Sequence, residues 1–257
     1  MTRPYFPTRL CMQVWRRHLL VWRKNAPASL VANLGEPFLY LLGMGFGLGR
    51  YVDTMGTLSY PVYLTAGILA ANSMNAATFE AIYGGFTRMT RQQTFHAMLA
   101  TPVGIADIVA GEVIWAATKA VFSGAAILLV GALMGAIPAA TAPWALLVVF
   151  LSGLVFASMG MIVTAISPNY DFFMYYFTLV TTPMFLFCGV FYPLESLPEL
   201  ARLAAAWLPL THVVALIRPL TTGLPFDNPW WHLGMLIGFA VLLFPMAVRR
   251  ISKRIIV

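Results

Sequence analysis

Six apolar stretches, each about as long as a bilayer-crossing helix, constrain this chain more than any other feature. They run from Ala28 to Gly49, Tyr60 to Gly84, Ile105 to Gly135, Pro143 to Ile166, Asp171 to Phe191 and Trp230 to Val248. A helix needs about 20 such residues to cross roughly 30 Å of hydrocarbon. Of the 257 residues, 60% are hydrophobic and 10% are charged. One soluble core cannot hide that much apolar surface, and a disordered chain would not carry it. The expectation is an all-α, polytopic membrane protein with six transmembrane helices.

Charge placement sets the orientation. Arg3, Arg9, Arg16, Arg17, Arg23 and Lys24 precede the first stretch, Arg88 and Arg91 follow the second, and Arg249, Arg250, Lys253 and Arg254 follow the last. Six crossings bring these groups to one side and leave Arg50, Arg202 and Arg218 opposite, with Lys119 inside the third stretch. Cytoplasmic loops of membrane proteins collect Lys and Arg, so both termini are expected in the cytoplasm. The net charge of +7 therefore bears on topology, and no nucleic-acid partner is expected. Residues 1–27 form an N-terminal cytoplasmic segment, 28–248 the transmembrane domain and 249–257 a basic tail. The N-terminal segment has no uncharged run long enough for a cleavable signal. Cys11 and Cys188 offer no disulfide framework.

Leu10 to Lys24 reads as an amphipathic interface helix. Leu10, Cys11, Met12, Val14, Trp15, Leu19, Val21 and Trp22 fall on one half of the wheel, and Gln13, Arg16, Arg17, Arg23 and Lys24 on the other. His18 and Leu20 are out of place. Such a helix lies in the membrane surface with its cations toward the phosphates. It is either a simple anchor or a lever that touches a cytoplasmic partner.

Ionisable and amide side chains at membrane depth are costly and mark candidate sites. Glu36 lies deepest, with Asn33 and Tyr40 on its face and Pro37 beside it; it either makes structural hydrogen bonds or lines a path. Gly43, Gly45, Gly47 and Gly49 follow, spaced for close helix approach. Asn72 and Asn75 share a face of the second stretch, where inter-helix hydrogen bonding is the default role. Glu80, near the end of that stretch, reaches the interface. Glu112 and Lys119 lie two turns apart on one face of the third, and Lys119 has length enough to snorkel.

Two loops stand out. Phe86 to Gly104 (FTRMTRQQTFHAMLATPVG) is the only sizeable inner loop. Arg91 to Ala100 is expected as a short helix with Phe95, Met98 and Leu99 partly exposed, ended by Thr101-Pro102. It either docks into a partner's groove or lies on the membrane. On the outer side, prolines at 193, 198, 209, 219, 225 and 229 divide the chain between Gly189 and Pro229. Pro198 to Trp207 and His212 to Arg218 are helical and too short to cross, which suggests a re-entrant hairpin beside a conduit, with His212 and Arg218 near its exit.

No nucleophile elbow, HExxH or phosphate-binding loop is present; the three lysines follow Arg23, Thr118 and Ser252, so there is no Gly-Lys pair. Any ATP must be bound by another chain. Against that background, five segments together resemble one family: EPFLYLLGMGFGLG, AGILAANSMNAATFEAIYG, ATPVGIADIVAGEVIWAATK, SPNYDFFMYYFTLVTTPMFLFCGVFYPLESLP and WLPLTHVVALIRPLTTG. The chain resembles the permease subunits of ABC-2 type exporters, most of all the nodulation-protein-J-like branch, permeases for lipo-oligosaccharides. The resemblance implies an interface helix, six transmembrane helices, a cytoplasmic coupling helix and outer re-entrant helices.

It further implies a non-catalytic transport subunit of the bacterial inner membrane. A second permease copy and two ABC ATPase subunits would complete it, and ATP and Mg would bind only to the ATPases. Arg88, Arg91, Phe95, His96, Met98, Leu99 and Thr101, with Arg16 and Arg17 of the interface helix, would contact the ATPase. The substrate would be an amphipathic lipo-oligosaccharide or lipid-linked glycan, with drug efflux as the alternative within the family and ion-coupled transport outside it. Glu36, Tyr40, Asn72, Asn75, Tyr175, Tyr176, Phe185 and His212 are the candidate path residues, the aromatics among them equally suited to ordinary packing and lipid contact.

Overall fold

The computed structural model describes residues 6–24, 26, 39–52 and 54–255; Glu36, Asn33 and Pro37 lie outside them. Helix α1 spans Cys11–Arg23. A helical stretch then passes through π turns at Gly43–Gly47 into a 3-10 turn at Leu48–Arg50. A small antiparallel hairpin, β1 (Thr54–Met55) and β2 (Leu58–Ser59), follows. Helix α2 (Tyr60–Phe79) continues as π turns at Glu80–Gly84 and Thr87–Arg91. Short α3 (Thr94–Leu99) leads to α4 (Ile105–Leu133) and α5 (Ala145–Ile166). Then come α6 (Phe172–Phe187), α7 (Glu199–Ala206), α8 (Pro209–Thr222) and α9 (Pro229–Ile255).

The architecture is helical, as expected. Ile105–Leu133, Ala142–Ile166 and Pro229–Ile255 are long and apolar enough to cross a membrane. The other expected crossings differ in form. Helix α2 has 20 residues, about 30 Å at 1.5 Å per residue, with Asn72, Ser73 and Asn75 along it. Helix α6 is shorter, and its middle loosens into π turns ahead of Pro183. Helices α7 and α8 form an apolar pair bent by 84°. The bend follows from Pro209, whose ring pushes Leu208 into the extended region (ψ 136°). Proline then starts α8 where its missing N–H costs nothing, and Gly223 ends it at φ +80°. The helix is therefore longer than the His212 to Arg218 stretch expected from sequence. Helix α9 runs unbroken through the boundary drawn at residue 248, so residues 249–255 are helix.

Helices α2, α4 and α5 pack as a central trio, with α1 on α4, α8 on α2 and α9 on α5. Small residues allow the close approach. A Cβ at Gly153 would lie 2.6 Å from Ala117 Cα, and one at Gly160 would lie 2.8 Å from Ala81 Cβ. Buried hydroxyls and amides bond across the seams: Asn72 Nδ2 donates to Ser123 Oγ at 2.9 Å, and Ser73 and Ser152 share a hydrogen bond of 2.7 Å. Outside this trio, α9 turns Trp230, Trp231, Val241 and Leu242 outward, toward lipid or another chain.

Gly67 holds the segment after α6 against α2. A Cβ there would lie 2.2 Å from the Val190 carbonyl oxygen, and backbone cannot yield as a side chain can. Gly67→Ala should therefore cost about 1–3 kcal/mol by overpacking. Gly43→Ala should cost little, since nothing lies within 4 Å of that Cβ. Thermal unfolding of the two purified variants checks the difference.

Candidate functional site

The site lies where α1, the π turns after α2, and the first half of α4 meet. Helix α4 has 29 residues, roughly nine more than a crossing needs. If its apolar end at Leu133 marks one membrane face, Glu112 falls at the other and Lys119 about 10 Å inside it. Ionisable side chains at that depth need partners.

Helix α1 docks on α4 through Cys11, Val14, Trp15, His18 and Trp22, a set with helical spacing. Val14 and His18 are buried. Gly111 makes room: a Cβ there would lie 2.5 Å from Val14 Cβ and 2.9 Å from the Cys11 carbonyl oxygen. Trp15 Nε1 donates to Thr118 Oγ1 at 3.0 Å, and Trp22 stacks on Phe122 with ring centres 5.0 Å apart. The Thr8 hydroxyl donates to Asp107 Oδ1 at 2.8 Å, while Asp107 Oδ2 accepts from the Gly104 amide at 3.0 Å and caps α4. His18, the misfit on the wheel, is thus the residue that faces the protein.

Four charged side chains and His18 fill the junction. Arg88 donates to both oxygens of Glu112, Nε at 3.0 and 3.1 Å and Nη2 at 2.6 Å. The same Nη2 lies 2.9 Å from Glu80 Oε1. Lys119 Nζ donates to Glu80 Oε2 at 2.8 Å, and Trp115 Nε1 donates to Glu80 Oε1 at 3.1 Å. His18 Nε2 lies 3.0 Å from Glu112 Oε1. Glu112 is 1% exposed, and Glu80, Arg88 and Lys119 are mostly covered. The formal charges of these four cancel. A cavity of about 500 Å³ opens beside them, walled by Arg17, Trp22, Tyr83 and Gln92 among others.

The cluster gives these side chains partners within the chain. Glu80, expected simply to reach the interface, pairs with Lys119. Arg88, expected to contact the ATPase, is held by Glu112 in a two-pronged bond. The Glu112–Lys119 face is real, but its charges are joined through Glu80 and Arg88 on another element. Sequence offered two signals for this, the shared face of Glu112 and Lys119 and the misplaced His18.

Helix α3 hangs from the cluster. Thr94 Oγ1 donates to the Arg88 carbonyl at 2.9 Å, and Gln93 turns the chain with φ +54°. Phe95 is fully buried, which corrects the expectation that it is partly exposed: it anchors α3 to the body. Met98 and Leu99 are half-buried, and Arg91, Gln92, His96, Ala97, Ala100 and Thr101 are exposed. On α1, Arg16 is exposed and Arg17 half-buried. An aromatic ladder not foreseen from sequence braces the same region. Tyr83 contacts Tyr170, Phe173 and Phe177, and Tyr170 Oη hydrogen-bonds Thr87 Oγ1 at 2.8 Å.

The described candidate path residues have the following neighbours. Tyr40 meets Phe185 edge-on at 5.8 Å, and both contact Phe191. Asn72 turns to Ser123, while Asn75 and Tyr176 are half-buried and Tyr175 is 65% exposed. His212 is buried, its Nδ1 2.8 Å from that of His232. At that end Arg218 covers the Tyr63 ring at 3.8 Å and donates to the Gly189 carbonyl at 2.6 Å. Among the described residues no group of three metal-ligating side chains occurs.

Removing Arg88 alone leaves Glu112 buried without its main partner, so Arg88→Ala should cost about 3–5 kcal/mol. Removing Glu112 as well leaves Glu80 and Lys119 balanced. Arg88→Met with Glu112→Leu should therefore recover most of the loss, read from thermal unfolding of the single and double variants.

Comparison with known proteins follows the same outline. Residues 9–222 match the family described as ABC-2 type transporter. The chain is 44% identical over 243 residues to nodulation protein J of Rhizobium leguminosarum bv. trifolii, covering 95% of this chain and 93% of that protein. It is 43% identical to nodulation protein J of Rhizobium meliloti, with 94% and 92% covered, and 42% identical to that of Bradyrhizobium diazoefficiens, with 95% and 93% covered.

Proposed function

Since this chain belongs to the ABC-2 type transporter family, we propose that it is the permease subunit of an ATP-driven exporter in the bacterial inner membrane. It crosses six times with both termini cytoplasmic, and two copies pair with two ABC ATPase subunits that bind ATP and Mg. The cargo is an amphipathic lipo-oligosaccharide or lipid-linked glycan, taken from the cytoplasm or inner leaflet. Tyr40, Phe185, Tyr175 and Tyr176, with Glu36, Asn75 and His212, are the side chains proposed to meet it. Asn72 serves helix packing through Ser123.

One observation carries this reading: α3 exposes one side while Phe95 and Thr94 anchor the other to the body. Its exposed side, Arg91, His96, Ala97, Ala100 and Thr101, is the face offered to an ATPase groove, with Met98 and Leu99 at its edge and Arg16 and Arg17 of α1 beside it. Phe95 and Arg88 hold it from behind. A push on α3 would pass through Thr94 and Phe95 to the π turns, and from Arg88 to α4 through buried ion pairs. Nothing in this requires the permease to bind ATP.

Two tests follow. Ala97→Glu with Ala100→Glu places two carboxylates on the outer side of α3 without touching its anchor. The variant should fold with unchanged thermal stability and lose co-purification with the ATPase; an intact complex would contradict docking through α3. For transport, permease and ATPase reconstituted in liposomes should move a lipo-oligosaccharide only with ATP. Movement without the ATPase that follows a proton gradient would contradict the exporter reading.

A further inference from the structure

The last turns of α9 lie against the end of α5 and border a second, open cavity of about 340 Å³, lined by Ala165, Ile166, Ser167, Pro168, Arg250, Lys253 and Arg254. None of these residues is acidic. Arg254 is committed inward: its guanidinium donates to the Thr164 and Ala165 carbonyls at 2.8 and 3.0 Å, and to that of Ser167. The first two are among the last carbonyls of α5, which lack helical partners, and Ser167 follows its end. Arg250 and Lys253 make no ion pair among the described residues. Ile166, 50% exposed, supplies an apolar ledge on the membrane side.

We infer that this cavity binds the phosphate headgroup of an anionic phospholipid, with Arg250 and Lys253 on the phosphate and the acyl chains passing over Ile166. The arrangement suits a lipid better than a soluble anion. Two unpaired cations stand at the interface depth of two long apolar helices, and basic pockets between such helices attract anionic headgroups. The apolar ledge has no use for free phosphate. The site is also wired to the coupling region, because Arg254 lies 5.4 Å over the Phe86 ring, and Phe86 contacts Tyr170 and Phe173 of the aromatic ladder. The inference goes beyond the transport reading and does not depend on the cargo.

The test uses the full-length permease in nanodiscs of phosphatidylcholine with phosphatidylglycerol, followed by native mass spectrometry of lipid retained on release. The wild type should keep a phosphatidylglycerol, and Arg250→Gln with Lys253→Gln should lower that retention about tenfold or more, since each cation near the surface contributes appreciably to anionic-lipid attraction. Arg249→Gln, outside the cavity, and the charge-preserving pair Arg250→Lys with Lys253→Arg should both retain it. Equal retention by the double Gln variant, or equal retention of phosphatidylcholine by the wild type, would overturn the site. Displacement by millimolar inorganic phosphate would make it a free-anion site and overturn the lipid assignment. Unchanged lipid with loss of the ATPase would make it a protein-docking surface instead.

Discussion

Two carboxylates and two cations share one buried junction, and their mutual neutrality dictates which elements must meet there. A carboxylate as enclosed as Glu112 is tolerable only when paired and hydrogen-bonded. Arg88 supplies two prongs and His18 a third contact, which draws the π turns and α1 to the same point of α4. Glu80 then takes Lys119, Trp115 and the remaining reach of Arg88. The cluster joins α1, α4 and the turns leading to α3 by short bonds, and the projecting helix is tied to those turns through the Thr94 hydroxyl on the Arg88 carbonyl and the buried Phe95. Everything proposed for ATPase coupling depends on that connection.

The opposite end is built on a different principle. There the chain bends back, and close backbone approach does the work: Gly67 against Val190, Gly189 at φ +79°, and Arg218 stacked on Tyr63 while bonding the Gly189 carbonyl. A guanidinium that stacks and donates at once can live in partly apolar surroundings. The basic end is thus locked by charge and the other end by shape.

Much of the fold was legible because membrane crossing imposes length and hydropathy on sequence. The long helices α4, α5 and α9 and the break between α7 and α8 are all written in apolar runs and prolines. Composition also made α3 visible as an island of polar residues ended by Thr101-Pro102. What was not legible is side-chain direction. Phe95 reads as exposed when only its own helix is considered, and is buried because Gln93 enters the left-handed region and turns α3. Glu80 and Lys119 are 39 residues apart in sequence, and Arg88 and Glu112 are 24 apart; no local periodicity pairs them. The π turns after α2 add to this, since they shift the register that an α-helical wheel assumes. His18 was the exception that pointed inward, and a polar residue on the wrong face of an amphipathic helix is the sequence signal that deserved a partner.

The claim at the centre is that a single carboxylate, Glu112, clamps α1 and the α3 segment to α4 together. Amide hydrogen exchange across residues 11–23 and 91–101 in Glu112→Gln permease tests it most directly. If the clamp is shared, both segments should exchange faster than in the wild type and by similar factors, while the central trio of α2, α4 and α5 stays protected. Acceleration of one segment alone, or of neither, would contradict the shared clamp and separate α1 from α3.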